Sequence, residues 1–399
     1  MYFIKLLTGK SFMLFILLLI KLFSLLPKRK EREEGKVIVL TGTFYSKNWI
    51  NAHLVPLVTS ENIKHVFIVS KNIEYDIKGL TVIKPSLFVS KICGNTISRL
   101  LSFFTCSLTH KPDYIGGFHI LFNAAFAILF AQILRTRSIY FCVGGITETL
   151  ETGSSENSFF KFIEKKDTTL TDTICKIACS ADRIITMGKG AKLFLISKGA
   201  IPKTIFVISG AIDKNIFFPA MSDEVKKYDV VLTARLSGIK QVDLFIDVVK
   251  AVNLKGTPCS ALIIGAGPLL ESLKQYTIDI QANNYFTFAG HQESILPWLH
   301  QSKINMLTSR SEGLALSLLE GLKAGLPAIV PDVGDLSDVL KNGYNGFLIE
   351  NHNKDEFVTK IIELLNNPKE LSEFSSNAIE STIRFDLKCV QKQWSTVFE

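Results

Sequence analysis

Two glutamates, Glu312 and Glu320, are separated by seven residues in the stretch Ser311-Glu-Gly-Leu-Ala-Leu-Ser-Leu-Leu-Glu320. A carboxylate accepts paired hydrogen bonds from vicinal hydroxyls, so two of them flanking an anion site suit a sugar nucleotide. Gly313 opens a turn between them. The amides of Leu314, Ala315, Leu316 and Ser317 then fall at a helix N-terminus, where negative charge is favoured. A second reading of the same letters stands beside this one: Ser317-x-x-Glu320 is a capping box, which would make Glu320 a helix cap and nothing more. Upstream, Ala234-Arg235-Leu236-Ser237-Gly238-Ile239-Lys240 brackets a polar turn with a planar guanidinium and a compact ammonium. The two could hold a diphosphate, or they could be solvated charges beside a loop. Gly265-Ala266-Gly267-Pro268 makes a tight strand-to-helix turn facing a ligand. Leu270 occupies the third glycine position of a dinucleotide fingerprint and no acidic residue plainly ends the next strand, so the case for NAD or FAD is weak.

These groups need a scaffold that brings loops together. Short apolar runs of the kind buried in parallel sheets occur at 36–40, 65–69, 80–83, 138–143, 183–186 and 205–208. A second series follows at 229–233, 260–264, 285–288, 303–307 and 327–330. Helical stretches are predicted between them, at 121–134 in the first series and near 241–254, 268–277, 293–300, 317–324 and 335–341 in the second. Phe357, Ile361 and Leu365 mark the apolar stripe of a further helix. Such alternation means α/β architecture with right-handed crossovers, and ligands bind outside the carboxyl ends of the strands. The division predicted is an N-terminal segment 1–34, a Rossmann-like domain 35–208, a linker 209–228, a second Rossmann-like domain 229–380, and a helix in 381–399 that crosses back to the first.

Of the net charge of +8, five units lie in residues 1–36, where eight Lys/Arg oppose three Glu. The folded body has no basic footprint for nucleic acid, which excludes that class of partner. Residues 12–26 are apolar except for Lys21 and Ser24, and Lys28, Arg29, Lys30 and Arg32 follow. A bilayer span needs about 20 apolar residues. A short signal-anchor span, a helix lying in the membrane interface and an apolar cap packed on the folded domain all fit. The membrane readings put the body on the cytoplasmic face, with residues 1–32 touching lipid. Seven cysteines without metal-type or redox-type spacing fit a reducing compartment.

Glu312 and Glu320, followed by Gly325-Leu326-Pro327 and Asn342-Gly343-Tyr344-Asn345-Gly346, resemble the E-x7-E block of the retaining GT-B glycosyltransferases called glycosyl transferases group 1, or glycosyltransferase family 4. Arg235 and Lys240 match that family's Arg-x4-Lys clamp. Gly265 to Pro268 and Ser209-Gly210-Ala211-Ile212-Asp213 keep its order. The likeness runs from about residue 181 to 350 and is thin before 110. It implies two Rossmann-like domains facing a central cleft, and transfer of a sugar from a nucleoside-diphosphate sugar to a glycan or lipid-linked acceptor, as in cell envelope polysaccharide biosynthesis. Carried over, Arg235 and Lys240 stabilise the leaving diphosphate, Glu320 binds ribose, and Glu312 lies at the donor sugar. Gly265, Gly267, Gly313, Leu314, Ala315 and Leu316 line the donor.

His119, in Asp113-Tyr-Ile-Gly-Gly-Phe-His119, matches the family's histidine beside the donor sugar; an ordinary loop histidine is the other reading. No Asp-x-Asp motif occurs, so neither a metal clamp nor any cofactor is expected. Thr41-Gly42-Thr43-Phe44-Tyr45 departs from the family's paired-glycine loop, and Gly144-Gly-Ile-Thr-Glu148 is the candidate acceptor loop, which makes Gly42 and Glu148 acceptor-side residues. A sugar-nucleotide epimerase is an alternative within the same fold; from other classes come a non-catalytic sugar-nucleotide binder or scaffold, and an oxidoreductase that would carry nicotinamide or flavin.

Overall fold

The computed structural model describes residues 2–43, 47–71, 73, 75–151, 160, 163, 165–221 and 226–399. They form two compact units, Met1–Ala211 completed by Lys388–Glu399, and Ile212–Leu387.

The first unit is a seven-stranded sheet: β1 (Lys36–Thr41), β2 (Ile63–Val69), β3 (Leu80–Ile83), β4 (Tyr114–Phe118), β5 (Arg137–Cys142), β6 (Arg183–Thr186) and β7 (Ile205–Val207). Every pairing is parallel, in the order β3-β2-β1-β4-β5-β6-β7. Its helices are α1 (Tyr2–Phe23), α2 (Lys47–His53), α3 (Val55–Val58), α4 (Leu87–His110), α5 (Ala125–Ile133), α6 (Thr168–Cys179) and α7 (Lys189–Ser197). The second unit has six parallel strands, β8 (Tyr228–Thr233), β9 (Ala261–Ile264), β10 (Phe286–Gly290), β11 (Ser302–Met306), β12 (Ala328–Pro331) and β13 (Gly346–Ile349), in the order β10-β9-β8-β11-β12-β13. Its helices are α8 (Val242–Leu254), α9 (Leu270–Asp279), α10 (Leu296–His300), α11 (Leu316–Lys323), α12 (Lys354–Asn366) and α13 (Pro368–Ser381). The last helix, α14 (Leu387–Val397), packs on the first unit through Trp394 and Phe398, whose rings meet Phe141 and Tyr114 at 5.8 and 5.1 Å. In each sheet the winding direction reverses once, between β1 and β4 and between β8 and β11. Those switch points are where open parallel sheets bind ligands.

Several elements differ from the sequence reading. β4 and β13 were not predicted, because Gly116-Gly117 and Asn345-Gly346 read as breaks. The stretch 121–134 becomes a regular helix only at Ala125, since Phe122 adopts φ 62° in the wider turn Ile120–Ala124. The helix predicted at 335–341 is a single turn, Leu336–Asp338. The Asn345 side chain takes the Lys341 amide and donates to the Val339 carbonyl, ending helical pairing there. The predicted linker is divided: from Ile212 onward it belongs to the second unit, where Ile212 and Phe217 are buried and the Ile212 amide bonds to Phe385 O at 2.8 Å.

α1 is docked along one face. Met13, Ile16, Leu17 and Ile20 recur at helical spacing and are buried with Ile128, Leu129, Ile174 and Ile177 of α5 and α6. Lys10 pairs with Asp167 at 2.7 Å. The opposite face exposes Leu7, Leu14, Phe15, Leu18 and Leu22 to about half or more. The helix from Lys5 to Phe23 is apolar enough, and at 19 residues long enough, to cross a membrane. The basic segment after it straps the amino edge of the sheet. Lys28 pairs with Asp182, and Arg32 gives its amide (2.8 Å) and guanidinium (2.6 Å) to Asp113. Burial pushes the Asp113 carboxyl up, but the Val37 and Arg32 amides and the guanidinium outweigh it and hold the group below its ordinary range.

Candidate active site

β8 and β11 are neighbours in the second unit, so the loops leaving their carboxyl ends run side by side. The first passes through Arg235 into the turn Gly238–Lys240; the second leads through Glu312 into α11. They are stitched together: the Arg310 amide donates to Ile239 O (2.8 Å), and the Thr308 hydroxyl reaches Lys240 O and Gln241 O at 3.0 and 2.9 Å. The stitching brings Lys240 Nζ to 2.5 Å from Glu312 Oε1. An ammonium has three N–H groups, so one bond to Glu312 leaves two for an anion. The Glu312 turn is also held from the other side, where the Asp335 amide bonds to Gly313 O at 3.2 Å. Gly334 has φ +61°, and a Cβ there would stand 1.9 Å from Glu312 O, so the close approach requires glycine.

Arg235 lies exposed on the loop directly after β8. The two glycines of Gly265-Ala266-Gly267 are what let that loop sit down: a Cβ at 265 would meet Ala234 O at 1.9 Å and one at 267 would meet Leu236 O at 2.2 Å. Ala234 N and Leu236 N bond to Ile264 O and Ala266 O at 3.0 Å each. Gly265 and Gly267 thus position Arg235 and Lys240 by close backbone contact.

α11 decides between the two readings of Glu320. Its N-cap is Ala315, with no side-chain cap bond, so Ser317 lies inside the helix and the capping box does not form. Glu320 is buried, one turn in from the amides of Leu316 and Ser317, which have no acceptor within the helix. Leu314 is buried and the Ala315 carbonyl starts the helix by accepting from Leu318 N. Asn305 of β11 donates to Ser317 O at 3.0 Å, and its side chain fills the space a Cβ on Gly321 would need.

In the first unit, Gly42 is buried just after β1, while Phe44 and Tyr45 lie outside the described residues. His119 follows β4, the neighbour of β1. It holds φ +64°, a conformation rare for a non-glycine residue and kept only where surroundings enforce it. Its side chain is 46% exposed, against 5% for Glu148, and its Nδ1 lies 2.8 Å from Glu148 Oε1. Glu148 sits in the turn Gly145–Thr149 after β5. Its Oε1 also accepts from the Gly144 amide, while Oε2 accepts from the Ile120 amide (3.0 Å) and the Tyr140 hydroxyl (2.8 Å). Both oxygens of Glu148, read in the sequence as an acceptor-side residue, are thus occupied by groups of the first unit itself, His119 among them. Burial, with Cys142 and Glu148 adding to it, pushes the Tyr140 phenol well up, so it stays a donor. Burial, with His119 adding to it, pushes the neighbouring His53 imidazole down to about 3.

A family model described as "Glycosyl transferases group 1" matches residues 213–381. This part of the chain is a glycosyl transferases group 1 domain. All four of Arg235, Lys240, Glu312 and Glu320 fall within it, and Lys240 and Glu312 are in direct contact. The chain is 28% identical over 167 residues to poly(ribitol-phosphate) alpha-N-acetylglucosaminyltransferase of Staphylococcus aureus, covering 41% of this chain and 34% of that protein. It is 32% identical over 117 residues to UDP-Gal:alpha-D-GlcNAc-diphosphoundecaprenol alpha-1,3-galactosyltransferase of Escherichia coli, covering 29% and 30%. The chain therefore spans about a third of the length of these curated relatives. Among solved structures it resembles Anabaena HepE in complex with UDP-glucose, at a TM-score of 0.70 and 16% identity over 90% of this chain and 98% of that one. That likeness establishes the fold: two Rossmann-like units of the GT-B kind.

Thr308, Asn305, Gly334 and Tyr140 were missed in the sequence. Each acts through backbone or through another side chain, and none stands in a chemical pattern with its partner.

Proposed function

We propose that this chain is a glycosyltransferase of the group 1 kind. It moves a sugar, with retention and without a metal, from a nucleoside-diphosphate sugar to a glycan or lipid-linked acceptor of the cell envelope. The observation that carries the reading is the Lys240–Glu312 pair at the switch point, 2.5 Å long, with a second cation, Arg235, on the same loop. When the bond between the anomeric carbon and the diphosphate oxygen breaks, the electron pair leaves with the diphosphate. Lys240, Arg235 and the first amides of α11 stabilise that charge, and removing one such donor typically costs about 3–4 kcal/mol. Glu312 faces the sugar and Glu320 the ribose. The acceptor hydroxyl oxygen bonds to the anomeric carbon, and its proton passes to the oxygen of the departing diphosphate. The relatives named above, which act on poly(ribitol-phosphate) and on a diphosphoundecaprenol-linked sugar, support an envelope acceptor.

The body is held at the cytoplasmic membrane face by α1 lying in the interface. Its inner face is core of the first unit and its outer face is Leu7, Leu14, Phe15, Leu18 and Leu22. A spanning helix would strip Met13, Ile16, Leu17 and Ile20 from their partners, exposing the apolar surface of α5 and α6.

A panel of nucleoside-diphosphate sugars tests the reading. One donor should raise the melting temperature and be slowly hydrolysed in the presence of EDTA, with hydrolysis lost in Arg235→Ala. Tight binding without turnover under any acceptor would make the protein a binder. Vesicle flotation tests α1: replacing Leu14, Phe15, Leu18 and Leu22 with Gln should release the protein without unfolding it.

A further inference from the structure

We infer that Glu148 is a positioning residue for His119: its buried carboxylate fixes the half-exposed imidazole in the Nδ1–H form, which makes Nε2 the acceptor nitrogen of the ring. The inference rests on the glycosyltransferase reading for its kinetic consequence, and on geometry alone for the tautomer.

The Gly144 and Ile120 amides can only donate, and they take one oxygen each of Glu148. The Tyr140 hydroxyl donates to Oε2. A carboxylate surrounded in this way serves as acceptor on both oxygens, so the hydrogen between Oε1 and Nδ1, 2.8 Å apart, belongs to the ring. In a neutral imidazole Nε2 is then the acceptor nitrogen. Gly144 leaves room for the Glu148 side chain, since a Cβ there would stand 3.0 Å from Glu148 Cγ. His119 is held at positive φ by its amide bonding to Phe141 O and its carbonyl accepting from Ala124 N, at 3.0 Å each. The base of the ring is thus clamped by three elements: the end of β4, the turn after β5, and the start of the Ile120–Ala124 turn. At metal-binding histidines, where an outer carboxylate likewise chooses the tautomer, its removal typically costs about 10- to 100-fold in affinity or activity, and that range sets the scale here.

Full-length protein labelled with 15N-histidine provides a readout independent of turnover. In the wild type His119 should show the Nδ1–H pattern; in Glu148→Gln, which can present an amide N–H to the ring, the Nε2–H form should appear. Kinetically, Glu148→Gln should lower kcat for transfer or donor hydrolysis at least about tenfold with donor KM unchanged. Placed in a His119→Ala background, the same change should cost less than twofold. Tyr140→Phe removes a donor from Oε2 and leaves Oε1 on the ring, so it should keep the tautomer and most of kcat. Where Glu148→Gln fails to fold, Glu148→Asp, which withdraws the carboxylate by one methylene, takes its place. An unchanged His119 tautomer, or an equal cost of Glu148→Gln with and without His119, overturns the inference. A wild-type protein that turns over no donor defeats the functional reading while the nitrogen spectrum still decides this one.

Discussion

The two units wind their first six strands in the same order, yet their switch points are chemically opposite. In the second unit a cation and an anion meet directly: Lys240 and Glu312 pair in a partly buried position with ammonium donors to spare, and Arg235 stands exposed on the same loop. In the first, the charge is buried. Glu148 is enclosed by two amides and a hydroxyl, and an imidazole stands in front of it. On the function proposed above, one edge stabilises an anion and the other aims a hydrogen bond. A shared fold therefore specifies where a site is and leaves its polarity to the few residues after β1, β4, β8 and β11.

The contrast can be broken at four points. Arg235→Ala or Lys240→Met should cost the most, a fall of 100-fold or more in kcat/KM for the donor. A loss within threefold would mean the anion sits elsewhere. Next come the glycines. Gly267→Ala drives a Cβ to 2.2 Å from Leu236 O and should lower donor affinity at least about tenfold by displacing the Arg235 loop. Gly117→Ala, with its Cβ 2.4 Å from Ala124 N, should destabilise the first unit by 2 kcal/mol or more while nucleotide binding by the second persists. Calorimetry and titration on the same variants separate the two. Third is pH. His53 has its folded pKa depressed to about 3 from 6.5, so its stabilising effect is full above pH 6.5 and is lost as pH falls. Each unit is about 1.4 kcal/mol, or about 2 kcal/mol between pH 6.5 and 5. Urea melts of His53→Gln should show that slope removed. The smallest effect expected is from Ser317→Ala: with Ala315 as the N-cap, the melting free energy should move by less than about 0.5 kcal/mol, where a true capping box would lose about 1.

Much of the scaffold was legible because buried parallel strands are short apolar runs, and runs such as 37–40 and 229–233 cannot be mistaken. β4 was hidden by Gly116-Gly117, which local rules treat as a break. The pair is there because a Cβ on Gly117 would strike Ala124 and one on Gly116 would strike Leu40 at 2.7 Å, a constraint imposed by partners distant in sequence or around a turn. β13 starts on Gly346 for the same reason, its Cβ position lying 1.9 Å from Ala328 O. At the site, Arg235, Lys240, Glu312 and Glu320 were readable as types at fixed spacing. The joining of Lys240 to Glu312, 72 residues apart, and of His119 to Glu148, 29 apart, depends on strand order, which no local window contains. The basic run after α1 was misleading in the opposite way. Lys28 and Arg32 answer Asp182 and Asp113 of the protein itself, so they add less to lipid attraction than their number suggests.

The return of α14 makes the first unit discontinuous in the gene while the second is one uninterrupted segment. Residues 212–387 therefore form one segment that a single pair of cuts separates from the rest. Stopping the chain at 387 would instead remove Trp394 and Phe398 from Phe141 and Tyr114, taking an aromatic partner from each of β4 and β5. A faithful isolated first unit needs Ala211 spliced to Lys388 through a short connector.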